Sequence, residues 1–475
     1  MVSQTSSGYF DAAAGLPLHP VAIEAWQAAV ADGWADPARV HGAGRRSALL
    51  LDAAREAVAA ELDLQPDELS FQPSGPLALQ AAVLGTLAGN RRRDGAGGLV
   101  HSAVEHSTVL RAATWHAERG GQVHQVEVDE TGQVAAAAFL AAATTTGTAA
   151  AVLQAANHEV GTRQPVAEVA AGLAGSGVGL VVDAGHELVF GEPPSAPVFT
   201  ADARLWGGPA GVGLLAIRRG TRWRAPMPVD EAESGRALGA PNVPAIVAAA
   251  ASLRASRQDR QQQAGRLSGL IDQLRRRVPE LVPDAVVLGA AADRLPHLVT
   301  FCCLYVDGLS LLTELDRHDF AVSSGSSCTS DTLTPSHVLV AMGALTGGNV
   351  RVSLHRGVDQ ADIDRFLAVL PAAVARAREG VTINAPAARH RGGPGEPAGQ
   401  LIDSRGRRCP LPVLDLARAL PDVPVGAELT VLADDPAAAS DLAAWCRMTG
   451  QQLISTGPGP AGSDGARAYR VRRLR

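Results

Sequence analysis

GLVVD, residues 179–183, is a glycine, three aliphatic residues and a carboxylate in a row. A short unbroken apolar run bounded by turn-forming residues reads as a strand buried on both faces, ending at Asp183. Working outward, similar runs recur at Gly98–Ser102, Gln122–Val128, Ala149–Gln154 and Leu214–Arg218. Helical patterns lie between or before them at Asp52–Leu62, Pro76–Leu87 and Pro165–Gly175. Strands alternating with helices predict an α/β fold, a mostly parallel sheet covered by helices on both faces. Such sheets bind ligands beyond the carboxyl ends of their strands. His106 (at a helix entrance), Asn157, His158, Glu159 and Asp183 all fall at such ends. Each alone could be a turn or cap residue; together they mark a present or former site.

The chain has 475 residues, more than one core accommodates, so two or three domains are expected. Apolar residues make up 46%, as in a soluble globular protein, and the net charge of −6 is dispersed. No basic patch points to nucleic acid or an anionic membrane. The first residues, MVSQTSSGYFDAAAG, show no basic and apolar leader pattern. The most apolar stretch, Val134–Ala156, is interrupted by Thr144, Thr145, Thr146 and Gly147 and reads as helix, turn and strand. The five cysteines have neither zinc nor disulfide spacing, and a reducing cytoplasm fits them.

Further along, Pro244–Arg277 reads as one long helix leading into a second α/β segment. There, Leu298–Leu304, Ala321–Ser324 and Asn349–Leu354 read as strands, and Pro335–Met342 and Asp359–Arg378 as helices. Residues 1–380 are taken as one large unit and 381–400, rich in Pro, Gly, Ala and Arg, as a linker. A small unit spans 401–475, with strands at Glu428–Ala433, Gln452–Ser455 and Ala468–Val471 and helices at Pro410–Ala419 and Ala437–Thr449.

Three features carry chemistry. Val322–Asp331, VSSGSSCTSD, sets Cys328 in a polar run without periodicity, an exposed loop compatible with a chance cysteine or a reactive one. Cys409 precedes Pro410 at the start of a helix, beside Arg405, Arg407 and Arg408. Unpaired N–H groups, the helix dipole and those arginines predict a lowered thiol pKa, as persulfide relay requires. Cys446 reads as core; of Cys302 and Cys303 in TFCCLYV, one should face the core, and neither is given a role. Finally, the chain contains no lysine. Compositional bias explains losing surface lysines, but arginine cannot replace a lysine required as an amine nucleophile.

The pieces YFDAAAG, EHSTVL, NHEVGTRQPV, VVDAG, GGPAGVGLLAIRRG, SSGSSCTSD and NVRVSLHRG, in that order, resemble the NifS-type cysteine desulfurases of the class V aminotransferase superfamily. The resemblance implies a pyridoxal phosphate (PLP) fold of type I, dimerisation, and breakage of the C–S bond of cysteine with PLP as cofactor. It makes Cys328 the persulfide carrier and Arg351 the grip on the substrate carboxylate. It makes His106 the residue stacked on the cofactor ring and Asp183 the partner of the pyridinium nitrogen. IDSRGRRCPLPVLDLARAL and VLADDPAAASDLAAWCRMTG resemble TusA/SirA-like sulfur carriers, a small two-layer α/β fold, with Cys409 as the carrier thiol.

Departures from the desulfurase pattern cluster at the cofactor. Leu205 stands at the Schiff-base lysine, Arg204 at the preceding histidine and Asp202 at a phosphate-contacting serine. Leu77 and Ala240 replace two phosphate-contacting threonines, His158 an asparagine and His186 a glutamine. The favoured expectation is a sulfur-transfer protein with a vestigial PLP site, taking persulfide from an active desulfurase as homo- or heterodimer and handing it to an acceptor protein. A conventional PLP-dependent desulfurase fused to its acceptor, and a non-catalytic scaffold for an active desulfurase, are the alternatives. No metal site is expected.

Overall fold

The aliphatic run 179–183 lies at the middle of a seven-stranded sheet. The computed structural model describes residues 8–90, 97–325, 335–382, 388–390, 400–460 and 465–475, so Cys328 lies outside the described residues. Near the start, isolated bridges tie Tyr9 to Ala321 and Asp11 to Ser353. There follow α1 (Pro20–Val30), α2 (Gly42–Glu61), β1 (Leu69–Gln72), α3 (Gly75–Asn90), β2 (Gly98–Ser102), α4 (Ser107–Ala117) and β3 (Gln122–Val126). Then come α5 (Ala136–Ala143), β4 (Thr148–Gln154), α6 (Val166–Leu173), β5 (Gly179–Asp183), β6 (Val198–Asp202) and β7 (Gly213–Ile217).

The strand order is β1-β7-β6-β5-β4-β2-β3. All neighbouring pairs are parallel except those made by β7, which runs antiparallel to both β1 and β6. The expected parallel α/β sheet is therefore present, with two strands, β1 and β6, that the sequence patterns did not single out. Two apolar clusters cover its faces. One centres on Leu153, Leu180, Val182, Phe199 and Leu214. The other centres on Val83, Leu99, Val152, Val181 and Leu215. Alternate residues of one strand belong to opposite clusters, as the pleat requires.

Two helices, α7 (Val243–Gln258) and α8 (Arg260–Leu281), replace the single helix expected over 244–277. Asn242 caps α7 by accepting the Ala245 N–H at 3.3 Å. The break falls at Asp259, whose φ and ψ of −110° and 13° leave the helical region. Arg356 holds it, ion-paired to Asp259 and donating to the Ser256 carbonyl at 2.6 Å. The sequence QDRQQQ around the break is uniformly polar and helix-compatible, so local pattern carries no sign of it.

The second segment contains β8 (Ala285–Leu288), β9 (Leu298–Cys303), α9 (Gly308–Asp316), α10 (His337–Ala341), β10 (Asn349–Ser353) and α11 (Gln360–Thr382). Its sheet, β10-β9-β8, is antiparallel. The strand expected at 321–324 reduces to isolated bridges, Ala321 with Tyr9 and Ser323 with Arg351. Cys302 and Cys303 are both buried, on opposite sides of β9 in different apolar clusters.

In the small unit, β11 (Ala388–His390), β12 (Gln400–Asp403), α12 (Leu411–Ala419), β13 (Glu428–Ala433), α13 (Ala438–Thr449), β14 (Gln452–Pro458) and β15 (Arg467–Arg472) form a sheet of order β11-β12-β13-β15-β14. Residues 388–390, read as linker, thus pair antiparallel with β12. The unit is not separate in its packing. One cluster joins Val104, Val160, Cys302 and Leu345 to Leu442, Trp445 and Cys446.

Leu153 in the central strand β4 is fully buried. Leu153→Ala should cost about 3 kcal/mol, because lost transfer energy and the cavity left behind add. The first transition of a urea denaturation series measures it.

Candidate active site

Parallel strands end at one sheet edge, and the site is built there. Gln154 of β4 lies opposite Asp183 of β5, and β6 ends at Asp202. Beyond these ends lies a cavity of about 350 Å³. Its wall takes in the α3 N-terminus at Gly75, the α4 cap His106, and His158, Glu159, His186, Leu205 and Arg351. The structure thus brings together His106, His158, Glu159, Asp183, His186, Leu205 and Arg351, whereas Asn157, Leu77 and Ala240 do not line the cavity. Cys409 is not among the residues lining this cavity.

His106 caps α4, its Nδ1 accepting the Thr108 N–H at 3.2 Å. Its ring stands edge-on to His158 at 5.4 Å, and His158 lies 6.3 Å from His186. Burial drives the pKa of His158 and of His186 well below the ordinary histidine value, and the neighbouring histidines and Arg351 add to it. His297 stacks on Phe190 at 4.9 Å and is lowered to about 4, again mainly by burial. These imidazoles are neutral at physiological pH. The Nδ1 atoms of His158 and His297 are buried with no hydrogen-bond partner among the described residues.

The carboxyls move the other way. Burial lifts Glu159 to about 7 and Glu105 to about 8. Glu159 accepts a hydrogen bond from Ser336 Oγ at 2.7 Å, and Glu105 one from Ser102 Oγ at 2.5 Å. Asp183 is also raised by burial, with His106 opposing, and accepts the Gly185 N–H at 3.1 Å.

Two arginines carry charge into the site, and each meets a carboxylate of this chain. Arg351 on β10, 7% exposed, donates to Asp11 Oδ1 at 2.8 Å and to the His158 carbonyl at 3.1 Å. Arg204 pairs with Asp202 at 3.0 Å. The same Asp202 carboxylate accepts the Gly75 N–H at 3.3 Å, so it sits on the first turn of α3. Leu205 is half-buried, and a Cβ built on Gly185 would come 3.0 Å from its Cδ1. Its aliphatic side chain therefore lies over the turn that follows Asp183.

Sequence reading missed four of these groups, Asp11 and Gln154 in the cavity lining and His297 and Glu105 outside it. Asp11 and Gln154 lie in recognised segments, but nothing local says that they reach the cavity. His297 and Glu105 acquire their character from burial, which no short pattern reports.

Cys409 corrects an expectation. It directly precedes Pro410, the cap of α12, as expected, but its thiol pKa is raised rather than lowered. Burial contributes most, followed by the Asp441 and Asp435 carboxylates. Two neighbouring arginines are engaged elsewhere, Arg405 with Asp403 at 2.6 Å and Arg407 with Asp415 at 3.3 Å. Of the other described cysteines, Cys302 is fully buried and Cys303 is pushed up to about 12 by burial. Among the described residues no cluster suits a metal ion.

The raised carboxyls make stability pH-dependent. A carboxyl whose folded pKa exceeds its unfolded value leaves stability intact below the unfolded pKa and removes it as pH rises through the folded pKa. For Glu159 that window runs from the ordinary 4.5 to about 7. Glu159→Gln keeps a partner for Ser336 and abolishes the ionisation. It should match wild type near the lower bound and exceed it above the upper one by at most about 3 kcal/mol, at roughly 1.4 kcal/mol per unit. Urea denaturation at the two pH values checks this.

The sequence profile of the Aminotransferase class-V family matches residues 8–366, and that of Sulfurtransferase TusA matches residues 400–462. Among curated relatives, a cysteine desulfurase of Nostoc sp. is 31% identical over 378 residues, covering 78% of this chain and 93% of the relative. An IscS-like cysteine desulfurase of Mycobacterium tuberculosis is 33% identical over 398 residues, covering 80% and 100%. Cysteine desulfurase NifS of Azotobacter vinelandii is 30% identical over 351 residues, covering 72% and 86%. Among solved structures, a NifS-like protein superposes with a TM-score of 0.72 at 24% identity over 78% of this chain and 99% of the other, a likeness of fold. DndA from Streptomyces lividans follows at 0.60, 26% identical, over 73% and 99%. The seven-stranded sheet, the cavity at its carboxyl edge and these matches agree: the chain belongs to the class V aminotransferase family, in its cysteine desulfurase (NifS-like) branch, and carries a TusA domain.

Proposed function

We propose that this chain is a sulfur-transfer protein that relays persulfide sulfur through Cys328 and Cys409 and does not hold PLP as a Schiff base. Residues 1–380 act as the desulfurase-like unit and 401–475 as the carrier. The observation that carries this reading is Leu205 over the turn after Asp183, in a chain with no lysine. A Schiff base needs a primary amine, and the permanently protonated guanidinium of arginine cannot supply one.

The cavity's charges support the same reading. Family membership speaks for PLP as the family's cofactor. Its phosphate would need the N–H groups at the start of α3. Here the Asp202 carboxylate already accepts from Gly75 and adds negative charge beside any phosphate. Arg351, also in the lining, is likewise already paired, to Asp11. The described donors therefore do not fit covalent PLP, and no step is routed through it.

Sulfur then comes from an active cysteine desulfurase, in a homo- or heterodimeric assembly, and passes to an acceptor protein. The chemistry needs no oxidant. A thiolate attacks the outer sulfur of the donor persulfide, one S–S bond forms as another breaks, and the donor leaves as a thiolate. The described residues flanking Cys328 are anchored at the cavity. Gly325 donates its N–H to Asn349 Oδ1 at 2.8 Å, and Ser336 binds Glu159.

Peptide mass spectrometry after incubation with L-cysteine and PLP, with and without an active cysteine desulfurase, tests the relay. One added sulfur on Cys328 or Cys409 is expected only when the second enzyme is present, and Cys328→Ser should abolish transfer to Cys409. Sulfur adducts and alanine from the chain alone would overturn the reading. Undiminished sulfur on Cys409 in Cys328→Ser would reduce the large unit to a scaffold.

A further inference from the structure

The TusA domain packs on the large unit with its CPLP turn near the joint. The contact is specific as well as apolar. Asp441, in the first turn of α13 and 1% exposed, accepts from the backbone N–H of Thr346 at 2.7 Å and from its hydroxyl at 2.9 Å. Trp445 Nε1, one turn later, donates to the Tyr305 hydroxyl at 2.9 Å, and Arg447 donates to the Gly343 carbonyl. All three acceptors or donors on the far side belong to the large unit.

The loop that holds Asp441 also lies against the CPLP turn. A Cβ built on Gly347 would stand 3.6 Å from Asp441 Oδ2 and 4.0 Å from the Pro410 Cβ. The half-buried Cys409 thiol is influenced by the carboxylates of Asp441 and Asp435, whose negative charge opposes its ionisation. Asp435 also accepts the Cys409 N–H. One buried carboxylate thus binds the loop of the large unit and acts electrostatically on the thiol of the carrier.

We propose that Asp441 is a positioning residue that couples docking of the TusA domain to the reactivity of Cys409: docked, the thiol is kept protonated beside the carboxylates and is silent, and release from Thr346 exposes it. The physical logic is electrostatic. A thiolate between two carboxylates in a water-poor joint is disfavoured by burial and by like charge. Release brings water to all three groups. It also leaves the helix dipole of α12 as a favourable influence on the thiolate. The charged groups facing Cys409 are Asp435 and Asp441, and Tyr469 on β15 is coupled to it electrostatically. Thr346 and Gly347, from the large unit, bring no charge of their own. The inference rests on the proposed function only in taking Cys409 as the working thiol. It is read by alkylation, so it stands or fails independently of sulfur flow.

The test is iodoacetamide labelling of the full-length chain across pH 6 to 10, with rates at each cysteine read by peptide mass spectrometry. Asp441→Asn, nearly isosteric and uncharged, should raise the Cys409 rate at pH 8 about tenfold, one pH unit of thiolate. It should also move the inflection of the pH profile down. A Thr346→Val/Tyr305→Phe double variant, altered only outside the TusA domain, should raise the same rate severalfold while Cys446 stays protected. An unchanged Cys409 profile in both variants would overturn the proposal. If Asp441→Asn exposes Cys446 and so has not folded, the double variant decides alone: faster labelling confined to Cys409 supports the coupling, and wild-type labelling refutes it.

Discussion

Parallel pairing is the constraint from which the site follows. Strands β4, β5 and β6 run the same way, so Gln154, Asp183 and Asp202 reach a common edge, and the helices α3 and α4 begin beside it. Several ionisable groups are thereby delivered into a space with little water. Burial then decides their charge more than their neighbours do: His158 and His186 stay neutral, and Glu105 and Glu159 titrate near or above neutrality. Charge survives where it is paired, as in Arg351 with Asp11 and Arg204 with Asp202. On the account proposed here, those internal carboxylates stand where a substrate carboxylate and a cofactor phosphate would otherwise bind.

The cysteines show how position rather than residue type sets thiol chemistry. Cys302 donates its thiol to the Leu345 carbonyl at 3.2 Å and is packed against the TusA domain. Cys303 faces the opposite cluster. Both are inert small hydrophobes by location. Cys409 sits at a helix start that would favour a thiolate in water, yet in the joint it faces carboxylates. On the coupling proposed above, docking shields the Cys409 sulfur from adventitious oxidation until the domain is released.

Much of this was legible in the sequence, and the failures have physical reasons. Short aliphatic runs ended by polar residues located β2, β4 and β5 to within a residue, because strands buried on both faces leave a continuous signature. LSFQ and VFTAD, the strands β1 and β6, are too short and too mixed for that signature. The break at Asp259 depends on Arg356, distant in sequence, and helix propensity on either side is undisturbed. The gathering of His106, His158, His186, Leu205 and Arg351 was foreseeable from strand ends and family motifs. The pairing of Arg351 with Asp11 and the seat of Asp202 on α3 were not, since both depend on three-dimensional approach. The expectation for Cys409 failed because dipole and arginines were local, whereas Asp435 and Asp441 arrive from the far side of β13.

The central claim, that this desulfurase-like cavity does not hold PLP as a Schiff base, is tested most directly by titrating the purified, dialysed chain with PLP, treating it with borohydride and weighing it intact. The account predicts no visible absorbance band after dialysis and no mass gain on reduction. A retained band with one reduced pyridoxyl group on the chain would contradict it.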